Sequence, residues 1–424
     1  MNVLNILGLC SEDGMKKFKK SFLIYFLVLA ILPLFSALAN PDTNQGKGKR
    51  EPREPTEILV KFKKGYGKGH VPELAEGEET GSIPQIEVKK IKVKNPRALA
   101  KLLKNNKNIE YIEPDEEMEF FLIPDDPNYK TYQSSTLNII NAPAGWDIST
   151  GTGGPIIAVI DSGVTAGHPD LPPLLPGYSA VPGLSPNEDK LGHGTGVAGT
   201  IGMIGNNKIG GTGINWSARI LPVKIDDANG AITVSNGAKG LTWAADNGAK
   251  VINCSWGIAT NSTTLKNAVD YAYGKGAAVF AATGNEGIDS VSYPAQYSNV
   301  MAVGGTTDDG KTRASSSQYG PGMNVVSINS YYTTTAVSGG YLKKSGTSFA
   351  SPQVAGLASL IFAIKPNATP NQVYDFIQRG AKPLGGGYNE QTGHGIIDIG
   401  KTLELVRSNT PRLCRCPCKG EVWP

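Results

Sequence analysis

Ile157-Ala158-Val159-Ile160 is an unbroken apolar run that ends on an acid, Asp161, followed at once by Ser162 and Gly163. Such a run suits a parallel strand buried on both faces, whose carboxyl end delivers one polar side chain to a site. Two later stretches each bed one reactive side chain among small residues: Gly192-His193-Gly194-Thr195-Gly196 and Gly346-Thr347-Ser348-Phe349-Ala350-Ser351-Pro352. From Thr195 to Gly202 the residues are small enough for a helix opened by His193 to lie deep inside a domain. The apolar residues from Phe349 to Phe362 read as a second buried helix, with Pro352 expected in its first turn, where a missing N–H is tolerated. Ser348 then stands at a helix N-terminus, where partial positive charge favours negative charge developing nearby.

An acid, an imidazole and a hydroxyl in that order carry a specific chemistry. A serine hydroxyl attacks poorly at neutral pH and needs a base to take its proton. The base needs a carboxylate to fix its tautomer and to stabilise the imidazolium that forms. Asp161, His193 and Ser348 supply those parts, which are the parts of a nucleophilic hydrolase.

All three segments resemble those of the subtilisin-like (subtilase) serine peptidases, most closely the subtilisin and thermitase-like branch, and the likeness runs from about Pro124 to about Leu405. The Asp, His, Ser chain order is the one subtilisin has. The resemblance implies an α/β domain with a mostly parallel sheet flanked by helices, and a secreted serine endopeptidase made as a self-processing zymogen. It also implies that Asn285, in Ala281-Ala282-Thr283-Gly284-Asn285-Glu286-Gly287, forms an oxyanion hole together with the Ser348 backbone N–H.

The resemblance extends to the segments that bind substrate as an extended strand. Asn229-Gly230-Ala231 and Asn253-Cys254-Ser255-Trp256-Gly257 match the two that flank it. By that likeness Ser255, Trp256 and Gly257, with Ala281, Ala282, Thr283 and Gly284, line the pocket for the side chain before the cut. These walls are small or apolar and carry no acid, so an apolar or aromatic preference is expected. Trp256 and Thr283 stand where relatives usually carry a smaller apolar residue or Ala.

A structural calcium ion is likewise implied, with Asp126, Asp170 and Asn207 as side-chain ligands and backbone oxygens of the loop Ile204 to Gly213 completing the site. The stretch Asn187-Glu188-Asp189 lacks the acidic density of a second cation site. Gly196 stands where relatives usually place a second His, and Phe349 where Met is common. His70, His168 and His394 have no motif partner and read as structural or exposed.

The remainder of the chain sets the domain boundaries. Lys16, Lys17, Lys19 and Lys20 precede the apolar run Phe22 to Phe35 and the small residues Ser36-Ala37-Leu38-Ala39, the pattern of a secretory signal peptide over 1–39, with Met15 a candidate start. The run is short for a membrane span and Pro33 interrupts it, so no stable anchor is expected. Residues 40–56 read as a polar linker. Residues 57–123 alternate like half-buried strands at Glu57–Lys63, Ile86–Val93 and Ile109–Pro114, with a short helix over Asn95–Asn105. This β, β, α, β order resembles the family's inhibitory propeptide, the chain's expected partner alongside protein or peptide substrates. The catalytic domain is expected over 124–407 and a tail over 408–424.

With 40% hydrophobic and 18% charged residues in 424, the chain can bury a substantial core, and a net charge of +4 is too small to imply a nucleic-acid partner. Of its five Cys only Cys254 falls in the catalytic region, so no disulfide framework supports that domain. Cys414, Cys416 and Cys418 in the tail lack a His or fourth Cys close by to complete a soft-metal site, so a disordered or disulfide-linked tail is the preferred reading. A monomer is expected. Two other readings of the chain are an inert binding module and a hydrolase of esters or small amides; serine-directed labelling and a casein digest separate them.

Overall fold

The computed structural model describes residues 54–116, 122–334 and 339–409. The expected signal peptide, most of the linker and the cysteine tail beyond residue 409 lie outside the described residues. The chain forms two compact units that part between residues 119 and 120.

In the first unit the strands β1 (Glu57–Phe62), β2 (Glu78–Ile83), β3 (Val88–Lys92) and β4 (Ile109–Pro114) form an antiparallel sheet in the order β2-β3-β1-β4, with helix α1 (Pro96–Leu103) before β4. Asn95 caps α1 by accepting from the Ala98 N–H, and Pro96 takes the first helical position, where its missing N–H costs nothing. Ile58, Val60, Ile91, Leu103 and Ile112 are buried together as its core. The expected β, β, α, β order is one strand short. β2, Glu-Glu-Thr-Gly-Ser-Ile, is almost wholly exposed and has no apolar alternation, so its ladder to β3, with the Thr80 hydroxyl donating to Glu57 of β1, is what holds it as a strand. The strand expected from Ile86 begins instead at Val88, because Pro84–Ile86 makes one tight turn and Glu87 takes a left-handed conformation at φ 57°.

The second unit opens with a wide helical turn at Tyr129–Gln133 and the short helices α2 (Ser134–Ile139) and α3 (Ala142–Trp146), and then interleaves strands and helices. β5 (Ile156–Asp161), β6 (Tyr178–Ser179), α4 (His193–Gly202), β7 (Arg219–Lys224), α5 (Val234–Asp246) and β8 (Ala249–Cys254) follow in order. Next come α6 (Thr263–Gly274), β9 (Ala278–Ala282), β10 (Val300–Thr306) and β11 (Val325–Ile328). An antiparallel pair, β12 (Ser330–Thr334) and β13 (Tyr341–Ser345), leads into α7 (Thr347–Ile364), and α8 (Pro370–Gly380) and α9 (Ile399–Ser408) close the unit.

Seven strands form one parallel sheet in the order β11-β10-β9-β8-β5-β7-β6. The alternation along β5 divides its apolar residues between two cores. Ile157 and Val159 pack with Val197 of α4 and the apolar face of α7, while Ala158 and Ile160 pack with Leu241 of α5 and Leu265 of α6. A sheet covered on both faces needs such continuous apolar strands, and the expected fold class is the one observed.

Strand order fixes where a ligand can sit. From β5 the chain goes to β7 and β6 on one side and to β8 through β11 on the other, so the order reverses at β5 and β8. In open parallel sheets the crevice at such a reversal, beyond the carboxyl ends of the strands, is where ligands bind. Asp161 ends β5, and Ser255 directly follows β8.

Two expectations about helices meet different outcomes. α4 does open at His193 and is buried from Gly194 to Gly202. Pro352, expected in the first turn of its helix, lies one turn further in, because α7 starts at Thr347. There the ring removes the hydrogen bond that residue 352 would give the Ser348 carbonyl.

Candidate active site

β5 carries Asp161 into the crevice with its side chain 4% exposed, and the Nδ1 of His193, the first residue of α4, lies 2.8 Å from Asp161 Oδ1. A carboxylate only accepts, so the imidazole must donate Nδ1–H and keeps its lone pair on Nε2. The negative charge of Asp161 raises the His193 pKa above its ordinary value, burial opposes that rise, and the hydrogen bond adds to it. Asp161 Oδ1 also accepts the Ser162 N–H at 2.8 Å, while Oδ2 is buried with no hydrogen-bond partner among the described residues.

A second buried carboxylate, not singled out in the sequence, builds the turn that presents His193. Asp189 is 6% exposed and accepts from the Ser162 hydroxyl and the Gly192 N–H on Oδ1, and from the Thr195 N–H and hydroxyl on Oδ2, all at 2.8 Å. Gly192 is the N-cap of α4 and has no side chain to cap with, so the acid from the preceding loop does it. Ser162 Oγ joins the two acids, lying 3.2 Å from Asp161 Oδ1 and accepting the Gly194 N–H at 3.0 Å. Lys224 reaches in beneath them, donating to Ser162 O at 2.7 Å and to Asp226 Oδ1 at 2.6 Å. The available signal was an acid three residues before a side-chain-free N-cap.

Ser348 sits at the second position of α7, where no intrahelical acceptor exists for its N–H. Its hydroxyl donates to Ser255 O at 3.1 Å, not to His193, and Ser255 Oγ donates back to Ser348 O at 2.8 Å. The imidazole meets the ring of Phe349, the next residue, edge to face at a centroid distance of 5.6 Å. Asn285 is oriented by its neighbours: its Oδ1 accepts the Thr347 N–H at 2.8 Å and the Thr347 hydroxyl at 3.0 Å. The amide Nδ2, at the other end of the group, gives no hydrogen bond to Thr347. Gly284 has φ 112° and a Cβ there would fall 1.8 Å from Gln318 Oε1, so only glycine fits before Asn285.

The segments expected to hold substrate lie around this centre. Trp256 donates Nε1–H to Ile160 O at 2.8 Å and its ring lies over Gly237, where a Cβ would approach it to 3.0 Å. The indole is thus tied to β5, and Gly257 beside it is exposed. Ala281, Ala282 and Thr283 have side chains turned into the core, 0%, 4% and 0% exposed, so they offer a ligand only backbone. Asn229 and Gly230 form a tight turn closed by Asp227 Oδ1, which accepts from the N–H groups of Asn229 and Ala231. Between that turn and Leu191 is a small pocket of about 110 Å³.

Away from the crevice, the structure brings Asp126, Asp170 and Asn207 together. Asp126 accepts the N–H groups of Asn206 and Asn207 at 2.7 and 3.0 Å. Asp170 accepts from Asn207 Nδ2 at 2.8 Å, from the Gly211 N–H at 3.0 Å and from the Tyr341 hydroxyl. Both acids are almost fully buried, and burial pushes Asp170 up to about 7. The donors are the hard oxygens that Ca²⁺ takes, and two carboxylates buried side by side favour a cation, so the residues fit that ion. His168 serves as a brace: its Nδ1 accepts the Asp170 N–H at 3.1 Å, and its Nε2 lies 3.2 Å from Gly340 O.

Known proteins match this chain along most of its length. Residues 152–395 match the model of the subtilase family, and residues 39–115 match that of the fervidolysin N-terminal prodomain. The chain is 38% identical over 359 residues to the thermophilic serine proteinase of Bacillus sp. (strain AK1), covering 80% of this chain and 88% of that one. It is 40% identical over 239 residues to thermitase of Thermoactinomyces vulgaris, covering 56% and 85% respectively. Among solved structures, fervidolysin from Fervidobacterium pennivorans, described as a keratinolytic enzyme related to subtilisin, aligns with a TM-score of 0.57 at 26% identity over 85% of this chain and 62% of that one. A parallel sheet whose order reverses at an acid, an imidazole held by that acid, a serine opening a buried helix and a prodomain ahead of them agree with these likenesses. The chain belongs to the subtilase family of serine peptidases.

Proposed function

We propose that the protein is a secreted, self-processing endopeptidase in which Ser348 is the nucleophile, His193 the general base and then acid, and Asp161 the group that orients and stabilises the imidazole. The observation that carries this reading is the 2.8 Å link from His193 Nδ1 to the buried Asp161, which leaves the lone pair on Nε2 of a ring that meets Phe349, the residue after Ser348. A peptide N–H that takes the Ser255 carbonyl displaces the Ser348 hydroxyl from it, and rotation about the Cα–Cβ bond then turns Oγ toward Nε2. Oγ attacks the scissile carbonyl as Nε2 takes its proton. The oxyanion receives hydrogen bonds from Asn285 Nδ2 and the Ser348 N–H. Collapse expels the amine with the proton from Nε2, and water, deprotonated by the same nitrogen, cleaves the acyl-enzyme.

Substrate lies in the crevice as an extended strand, between the Asn229-Gly230 turn and Ser255 to Gly257, with the side chain before the cut against Ala281 to Gly284. Those surfaces are backbone and apolar, which favours apolar or aromatic side chains there. The signal peptide covers 1–39, the prodomain 57–123 follows the linker, and the catalytic domain runs over 124–407 and acts as a monomer. A calcium ion held by Asp126, Asp170 and Asn207 pins the start of the catalytic domain to the Ile204 to Gly213 loop and neutralises two buried acids.

The test is covalent labelling with a fluorophosphonate beside a casein digest. Label on Ser348 of the folded protein, with casein cut to peptides and both lost in Ser348→Ala, is the expected result. Folded protein that takes no label overturns the reading.

A further inference from the structure

The β12–β13 pair packs against the first turns of α4. Thr333 donates its hydroxyl proton to Gly196 O at 2.7 Å, Thr334 donates to Thr195 O at 2.8 Å, and Lys344 donates from Nζ to Gly192 O at 2.6 Å. The small residues of α4 make the approach possible. A Cβ on Gly199 would fall 2.2 Å from Thr334 Oγ1, and one on Gly196 would fall 3.2 Å from Lys344 Cδ. The room beside Gly196, where relatives usually carry a second His, is closed here by Thr333 Cγ2 at 3.3 Å from such a Cβ and, each at 3.2 Å, by Phe349 Cε1 and the stem of Lys344.

That stem brings a cation to the imidazole. Lys344 Nζ lies 6.0 Å from the centroid of the Phe349 ring, which also meets the His193 ring edge to face. Three charged groups act on His193 from the elements packed around it: Asp161 at the end of β5 and Asp189 in the preceding loop, which raise its basicity, and Lys344 on β13, which lowers it.

We propose that Lys344 is a positioning residue of the proteolytic site: clamped on the Gly192 carbonyl and seated against Phe349, it fixes the turn that launches His193 and sets a positive charge against the two carboxylates. The proposal rests on His193 being the base. With Lys344 in place the imidazole stays unprotonated, and so competent to accept a proton, to lower pH than the carboxylates alone would allow.

Met keeps the stem of lysine and removes only its charge and donors, whereas Arg keeps the charge. The experiment is the pH profile of kcat/KM for the mature wild type, Lys344→Met and Lys344→Arg on a peptide substrate at low salt. The acid limb reports protonation of the free base, and removing a cation raises its pKa, so the limb of Lys344→Met moves to higher pH. The expected shift is about half a pH unit, roughly a threefold loss of relative rate on the acid side, as one charge beyond contact distance in a half-exposed site gives. Lys344→Arg restores the wild-type limb, and added salt shrinks the difference. The midpoint does not depend on how much of a variant folds, so a poor yield leaves it readable. An active wild type whose acid limb is unmoved in Lys344→Met overturns the role of Lys344 alone, whereas a folded wild type that takes no fluorophosphonate overturns the reading of the site itself.

Discussion

Ser255 and Ser348 exchange hydrogen bonds: the hydroxyl of each donates to the backbone carbonyl of the other, at 2.8 and 3.1 Å. The cause lies one turn along α7. Pro352, four residues after Ser348, has no N–H to give the Ser348 carbonyl, and Ser255 Oγ supplies the missing donor. Asn253 Nδ2 in turn donates to Ser255 Oγ at 2.9 Å, and Ser351 Oγ donates to Asn253 Oδ1 at 2.8 Å, so the end of β8 and the start of α7 are locked to each other.

Ser255→Ala removes that donor and leaves a carbonyl in the helix unpartnered, together with an amide proton of the buried Asn253. A cost of about 1–3 kcal/mol is expected, read as a fall of several degrees in the thermal midpoint of the mature enzyme. An unchanged midpoint would show that water replaces the hydroxyl.

Asn285→Ala removes one of the two proposed oxyanion donors while leaving the nucleophile and base in place. Turnover is expected to drop about 10²–10³-fold, the loss that removing the corresponding donor causes in subtilisin, with little change in KM. Steady-state kinetics on a peptide substrate measure it. A loss confined to KM contradicts an oxyanion role.

Asp189→Asn places an NH₂ group against donors that both carboxylate oxygens now accept. The N-cap of α4 loses its charge-assisted bonds, for an expected cost of about 1.5–3 kcal/mol, and kcat falls with the misplacement of His193. Calorimetry and kcat are the two readouts, and movement of only the first would make Asp189 a purely structural residue.

Chelation tests the cation site. With calcium withdrawn, the buried acids Asp126 and Asp170 keep only their hydrogen bonds from neighbouring N–H groups and Tyr341, and the thermal midpoint is expected to fall and to recover on adding calcium in excess. In Asp170→Asn the midpoint is expected to respond far less to either treatment. A wild type indifferent to both contradicts the assignment.

What could be read from the chain, and what could not, follows from how each residue is held. Asp161, His193 and Ser348 sit in three short motifs that are weak singly and specific together, and Asn285, one Asn in a Gly-rich turn, was legible only through the resemblance. β5 was visible because burial on both faces demands an unbroken apolar run. Lys344 acts through Gly192, distant in sequence, and nothing local marks it, whereas Asp189 carried one local signal, its place three residues before the side-chain-free N-cap Gly192. Pro352 was misplaced by a turn because the helix starts at Thr347, under a cap with no side-chain signal. β2 was missed because an exposed edge strand needs no apolar alternation. Gly196 was legible as a departure, but the crowding around it by Lys344, Phe349 and Thr333 came only with β12 and β13 packed against α4.

The central claim is that this chain cuts itself with Ser348. The most direct measurement is the intact mass of protein secreted from a Met15 start, with Ser348→Ala prepared identically. The expected result is that the wild type loses everything up to around Ile123 while Ser348→Ala keeps residues 40–123. Trimming of both, or of neither, contradicts it.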